Sequence, residues 1–303
     1  MRAGWSPKAP APPCCATAPS WTSAAWTRRP RSATAAESPR EGPRNPDWKN
    51  LRVEPIQLWR IDLNPPEPRQ TELERWLCPE ERARADRFIP PEIRRRFTCA
   101  RGSLREVLAW SLGCRPHDLR FAYGEQGKPV LADQPELRFN LSHSGERALV
   151  GVSWQRELGV DLEHLRAGVD FRGLTARFFS EPERRALSEV PEPLFPREFL
   201  RVWTRKEAYL KARGTGLALP LADFAVPLGE LPSPRELTWT RDRPEEAARW
   251  PIQEVPCEEG YVGALCAEGP EWHAEPVLPR FWAGPGVAVE MPNGCQDPWL
   301  RTP

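Results

Sequence analysis

The sequence predicts an α+β protein built from two α/β subdomains of similar size. Two observations predict it. Short runs of apolar–polar alternation, which suit strands, are interleaved with longer runs of helical period. The interleaving occurs twice, on either side of a linker-like stretch near 154–158.

Residues 1–47 are rich in Pro, Ala, Ser, Thr and Arg, with Glu37, Glu41 and Asp47 as the acids. They carry neither period, so they read as a disordered low-complexity extension. The N-terminal subdomain is expected over 48–157. Within it 51–63 reads as a strand, 71–88 as a helix, and 91–112 as a second helix stopped at Gly113. A short strand over 119–123 leads into the turn GEQGKP at 124–129. Strands over 137–141 and 148–153 then flank SHSGER, which reads as a polar loop.

The C-terminal subdomain is expected over 158–281 and opens with a strand at 159–163. Helices follow near 171–179, over 181–189 and over 197–213, the last punctuated by Gly214 and Gly216. Short strands are expected near 224–226, 237–240, 252–255 and 261–266, and 282–303 reads as a flexible tail.

Composition excludes some functions. The 303 residues carry a net charge of +1, which is not the footprint of an electrostatic nucleic-acid binder. Arginines 82, 84, 87, 94, 95, 96, 101 and 105 crowd one segment, read either as a solvated basic face or as a patch for phosphate or an acidic partner. Eight cysteines without C-x-x-C pairs or His partners at zinc spacing read as reduced packing thiols of a cytoplasmic protein. No apolar run is long enough to span a membrane. Lysine is scarce, five against thirty-eight arginines, yet Lys128, Lys206 and Lys211 all fall inside motifs. Lysine can shift its pKa and transfer a proton, whereas arginine in practice does not.

Those motifs carry chemistry. Glu207 and Lys211 are four apart and share a helix face, with Trp203 one turn back. Asp161 and Glu163 lie on one side of a strand, with Val160 and Leu162 on the other. Each motif alone has a plain reading: a solvated helix pair worth about 0.2–0.5 kcal/mol, and an exposed strand face. Together, three carboxylates beside lysines suit a hard divalent cation bridging phosphate oxygens.

The ordered series GKP (127–129), FNLSHSG (139–145), GVDLE (159–163), RFFS (177–180) and WTRKEAYLKARGTGL (203–217) resembles the 4′-phosphopantetheinyl transferase superfamily, in its broad-specificity Sfp-type branch. The likeness runs from Val53 to Cys266. It implies two subdomains related by pseudo-two-fold symmetry, with the active site between them, in a monomer. It implies transfer of 4′-phosphopantetheine from coenzyme A to a serine of an apo acyl or peptidyl carrier protein, with Mg²⁺, releasing 3′,5′-ADP.

By the same resemblance Asp161, Glu163 and Glu207 match the metal ligands. Glu207 matches a group able to take the serine proton, and Lys211 one that stabilises the diphosphate and protonates the leaving group. Ser142, His143, Arg84 and Arg96 match positions near the coenzyme A 3′-phosphate, and Lys128 a coenzyme-binding position. Glu81 stands where some relatives carry lysine, with Arg101 nearby to compensate. Lys206 reads either as a second diphosphate contact or as a scaffold residue. The arginine-rich helix is one expected docking face for an acidic carrier. The rival readings are a non-catalytic binder of coenzyme A or carrier, a nucleotide enzyme lacking any Walker A motif, and an RNA binder lacking interleaved aromatics.

Overall fold

The computed structural model describes residues 55–276, apart from 125, 217–218, 242–243 and 270–271. The extension 1–47, the tail 282–303 and the first residues of the expected 51–63 strand therefore lie outside the described residues.

The first half begins with β1 (Ile56–Asp62), α1 (Glu67–Arg75), α2 (Pro79–Ala85) and the long α3 (Pro91–Leu112). A short hairpin, β2 (Phe121–Tyr123) and β3 (Pro129–Leu131), precedes β4 (Leu137–Ser144) and β5 (Arg147–Trp154). The second half holds β6 (Leu158–His164), α4 (Phe171–Phe178), α5 (Glu181–Ser188) and α6 (Phe195–Arg213). After it come β7 (Phe224–Ala225), β8 (Trp239–Thr240), α7 (Glu245–Arg249), β9 (Ile252–Val255), β10 (Tyr261–Ala267) and β11 (Ala274–Pro276). One sheet has the order β11-β1-β5-β4 and the other β6-β10-β9.

Three elements differ from expectation. The helix expected over 71–88 is two helices. Pro79 starts α2 after Cys78 takes an extended backbone, because proline at that point has no N–H to continue the first helix. SHSGER is not a loop. β4 runs on through Ser144, and only Gly145 and Glu146 turn the chain into β5, with Ser144 opposite Arg147. Gly145 has φ +57, and a Cβ there would meet the Tyr261 hydroxyl. Finally, β11 pairs in parallel with β1, Ile56 opposite Ala274, so the segment expected to complete the second subdomain returns its last strand to the first sheet.

Each sheet carries a helix on its apolar side. Leu104, Val107 and Leu108 of α3 pack with Phe139, Val150 and Val152. In the second half α6 lies on β6 and β10. Its Phe199 stacks on Phe179, with ring centroids 5.0 Å apart, and on Trp203 at 5.8 Å. Trp203 thus anchors α6 to α4 rather than lining the carboxylates. Gly159 of β6 lets the helix approach backbone to backbone, since a Cβ there would run into the Ala208 carbonyl and the Ala212 amide. That approach brings Lys211 over Asp161.

The two sheets meet along β4 and β6 without a backbone ladder. Asn140 Oδ1, Ser142 Oγ and Ser144 Oγ accept from the N–H groups of Val160, Leu162 and His164 at 2.9, 3.3 and 3.1 Å. The offset is constant, so the strands run parallel and in register. Edge-strand amides that need partners are satisfied by side chains of the other half.

Candidate active site

The seam between β4 and β6 is also where the acidic residues collect. Ser142 Oγ donates to Asp161 Oδ1 at 2.8 Å, and Ser144 Oγ to Glu163 Oε2 at 2.9 Å. Lys211 Nζ reaches down from α6 to Asp161 Oδ1 at 2.6 Å and to Ser142 Oγ at 3.0 Å. Glu207, one helical turn before Lys211, is 2% exposed. Burial, and then the charge of Asp161, push both the Glu163 and the Glu207 carboxyls up to about 7, with Lys211 opposing. The His143 imidazole is held down at about 4 by burial and by the charges of Lys211 and Arg96, so it is neutral at physiological pH. Arg166 closes the edge, with a guanidinium nitrogen 3.2 Å from Ser144 Oγ and 3.9 Å from Glu163.

This cluster of carboxylates has the donor chemistry for a small divalent cation. Asp161 Oδ2 is buried and lacks a hydrogen-bond partner, so one carboxylate oxygen is already desolvated with its lone pairs uncommitted. All the donors are hard oxygens, as Mg²⁺ prefers. Among the described residues no group of three or more metal-ligating side chains stands pre-arranged around one point. Lys211 instead supplies the counter-charge to Asp161.

The remaining expected contacts divide. Arg96 forks onto Glu146, whose other oxygen takes Arg95 at 3.0 Å. Arg84 lies over the Phe97 ring at 5.5 Å, and burial lowers its guanidinium pKa. Glu81 points inward to receive both Arg101 and Arg105, the latter at 2.7 Å, while also capping α2 through the Cys78 amide. The acid at this position is therefore a buried anchor between α2 and α3. Arg101, engaged there and over the Phe121 ring, is part of that anchor.

Lys128 donates to Glu157 at 2.7 Å and to the carbonyls of Leu158 and Ala212 at 3.1 Å each. It thereby pins the GKP turn to the start of β6 and the end of α6. Lys206 does not join the carboxylates. Its ammonium is fully buried against Glu183 at 2.8 Å and the carbonyls of Leu221 and Phe224 at 2.7 and 2.6 Å, contacts that suit the scaffold alternative. Five residues along a helix place Lys206 roughly 140° from Lys211.

Sequence reasoning assigns no role of their own to Ser144, Glu146 and Arg166. The available signal was the polar period Asn140, Ser142, Ser144, which matches a strand as well as a loop.

Comparison with known proteins identifies the family. The profile described as 4′-phosphopantetheinyl transferase superfamily matches residues 157–266, and that described as 4′-phosphopantetheinyl transferase, N-terminal, matches 64–154. The chain is similar to 4′-phosphopantetheinyl transferase HetI of Nostoc sp., 39% identical over 243 residues that cover 79% of this chain and 96% of that protein. It is 29% identical over 197 residues to 4′-phosphopantetheinyl transferase Sfp of Bacillus subtilis, covering 65% of this chain and 84% of Sfp. The likeness to 4′-phosphopantetheinyl transferase AcpT of Escherichia coli is 39% over 110 residues, 36% of this chain and 55% of that one. Both halves are thus matched, and the chain belongs to the 4′-phosphopantetheinyl transferase superfamily, whose activity is transfer of phosphopantetheine to carrier proteins.

Proposed function

We propose that this protein moves 4′-phosphopantetheine from coenzyme A to a serine hydroxyl of an apo acyl or peptidyl carrier protein, releasing 3′,5′-ADP. The observation that carries the reading is the buried set of Asp161, Glu163, Glu207 and Lys211 at the junction of two sheets, with the basic wall of His143 and Arg96 beside it.

Asp161, Glu163 and Glu207 would hold Mg²⁺, which when bound neutralises charge on the diphosphate of coenzyme A. Glu207, directly or through a water, accepts the serine proton as the serine oxygen bonds to phosphorus. Lys211 donates hydrogen bonds to the diphosphate and gives a proton to the departing phosphate as the phosphorus–oxygen bond to the adenosine half breaks. Arg96 and a neutral His143 N–H receive the 3′-phosphate, with Ser142 holding Lys211 and Asp161 in place beneath them. Arg84, over the Phe97 ring, is proposed as a further contact for the 3′-phosphate, and Lys128 keeps the coenzyme-side turn docked on α6.

Both walls come from one chain, which supports a monomer. Among the described residues no helix is long and apolar enough to cross a membrane. The setting proposed is the cytoplasm, where the five described cysteines would stay free thiols.

The test is intact-mass spectrometry of apo acyl and apo peptidyl carriers incubated with enzyme, coenzyme A and Mg²⁺. A phosphopantetheine-sized gain, absent with EDTA and in Glu207→Gln and Asp161→Ala, is expected. No gain on any carrier would sink the reading.

A further inference from the structure

We propose that Ser144 is a positioning residue for Glu163, aiming the second carboxylate of the site from the opposite sheet. The inference rests on the functional reading above.

Ser144 is buried and has one proton to give. Its oxygen already accepts from the His164 amide at 3.1 Å and from Arg166 at 3.2 Å. Those two N–H donors occupy its lone pairs, so the hydroxyl proton is committed to Glu163 Oε2 at 2.9 Å. The direction of this bond is therefore fixed by its surroundings. Arg166 stands 3.9 Å from the same carboxylate oxygen, a charge contact beyond hydrogen-bond reach. Hence the hydroxyl sets the orientation of the carboxylate, and the guanidinium adds charge.

The seam supplies its own control. Asn140 makes the same kind of strap, accepting from Val160 N–H at 2.9 Å, but carries no carboxylate. If Ser144 only ties the sheets together, losing either strap has one kind of consequence. If Ser144 aims Glu163, losing it must also change how the site holds a cation. Partners that orient metal ligands typically contribute 10–100-fold in metal affinity.

The experiment measures Mn²⁺ binding to the full chain by electron paramagnetic resonance, with and without coenzyme A, alongside thermal unfolding in EDTA. Ser144→Ala is expected to weaken Mn²⁺ binding about 10-fold or more, with coenzyme A affinity in EDTA unchanged. Carrier modification by this variant should recover as Mg²⁺ is raised. Asn140→Ala is expected to lower the unfolding midpoint and leave Mn²⁺ affinity within about 2-fold of wild type, well short of the roughly 10–100-fold loss that follows removal of an orienting partner. Ser144→Thr and Ser144→Val, equal in volume and differing in the hydroxyl, repeat the comparison should the alanine variant lose its fold; the threonine form is expected to bind Mn²⁺ more tightly.

Unchanged Mn²⁺ affinity in Ser144→Ala, equal affinities for the threonine and valine forms, or an equal loss in Asn140→Ala would each overturn the role of Ser144. A wild-type chain that binds neither Mn²⁺ nor coenzyme A would overturn the functional reading itself.

Discussion

Stripping the divalent cation should make the protein lose stability as pH rises from 6.5 to 8. Glu163 and Glu207 have carboxyls pushed up to about 7, chiefly by burial and then by the Asp161 charge. The folded chain therefore keeps protons there that the unfolded chain has already released. A raised carboxyl stabilises fully below its unfolded value near 4.5, and that contribution is lost as pH climbs through about 7. His143 acts in the opposite sense. Its imidazole, held at about 4, costs stability only as pH falls below about 6.5, where the unfolded chain takes up a proton. The interval from 6.5 to 8 thus excludes His143. Lys206, whose ammonium burial lowers to about 8, acts in the opposite sense near its upper end, so the carboxylate double variant isolates the carboxylates.

A group titrating at 7 changes its contribution by about 0.8 kcal/mol across that interval, so the pair changes it by about 1–2 kcal/mol. For a folded unit of this size that corresponds to a fall of roughly 2–6 °C in midpoint. Thermal melts at half-unit steps, in EDTA and in saturating Mg²⁺, read it directly. The slope should appear in EDTA and flatten in Mg²⁺, since the cation binds the ionised carboxylates. A flat profile in EDTA, or the same slope in a Glu163→Gln/Glu207→Gln double variant, would refute the reasoning.

Glu207→Gln alone should reduce carrier modification by about 10²-fold or more, yet raise the EDTA midpoint at pH 8 by removing a buried charge; paired mass-spectrometric rates and melts check both. Lys206→Met should destabilise by about 3–5 kcal/mol because Glu183 is left buried and uncompensated. Adding Glu183→Gln should restore part of that in a denaturant titration, with coenzyme A affinity unchanged throughout. Gly159→Ala should cost about 1–3 kcal/mol through overpacking against α6. It should also lower kcat more than it raises the KM for coenzyme A, as Lys211 is lifted from Asp161. Arg96→Ala should narrow the preference for coenzyme A over 3′-dephospho-coenzyme A, measured as a ratio of kcat/KM values.

What was legible in the sequence was whatever a short local period encodes. α3 ends at Gly113 and α6 at Gly214, as their left-handed glycines announce, and β9 lies where alternation puts it. The convergence of Glu207 and Lys211 with Asp161 follows from one helix face meeting one strand face, which spacing alone suggests. The failures share a cause. Lys206 sits in the same motif as Lys211, and no pattern distinguishes an ammonium that faces phosphate from one that ties three segments together. Only the helix rotation does, once the partner strand is known. SHSGER reads as a loop because its residues are polar. In the fold they face the other half of the molecule, where Ser142 and Ser144 serve both backbone amides and carboxylates. Polarity along a strand identifies the face that is not hydrocarbon core, and at a seam between two sheets that face is the site itself.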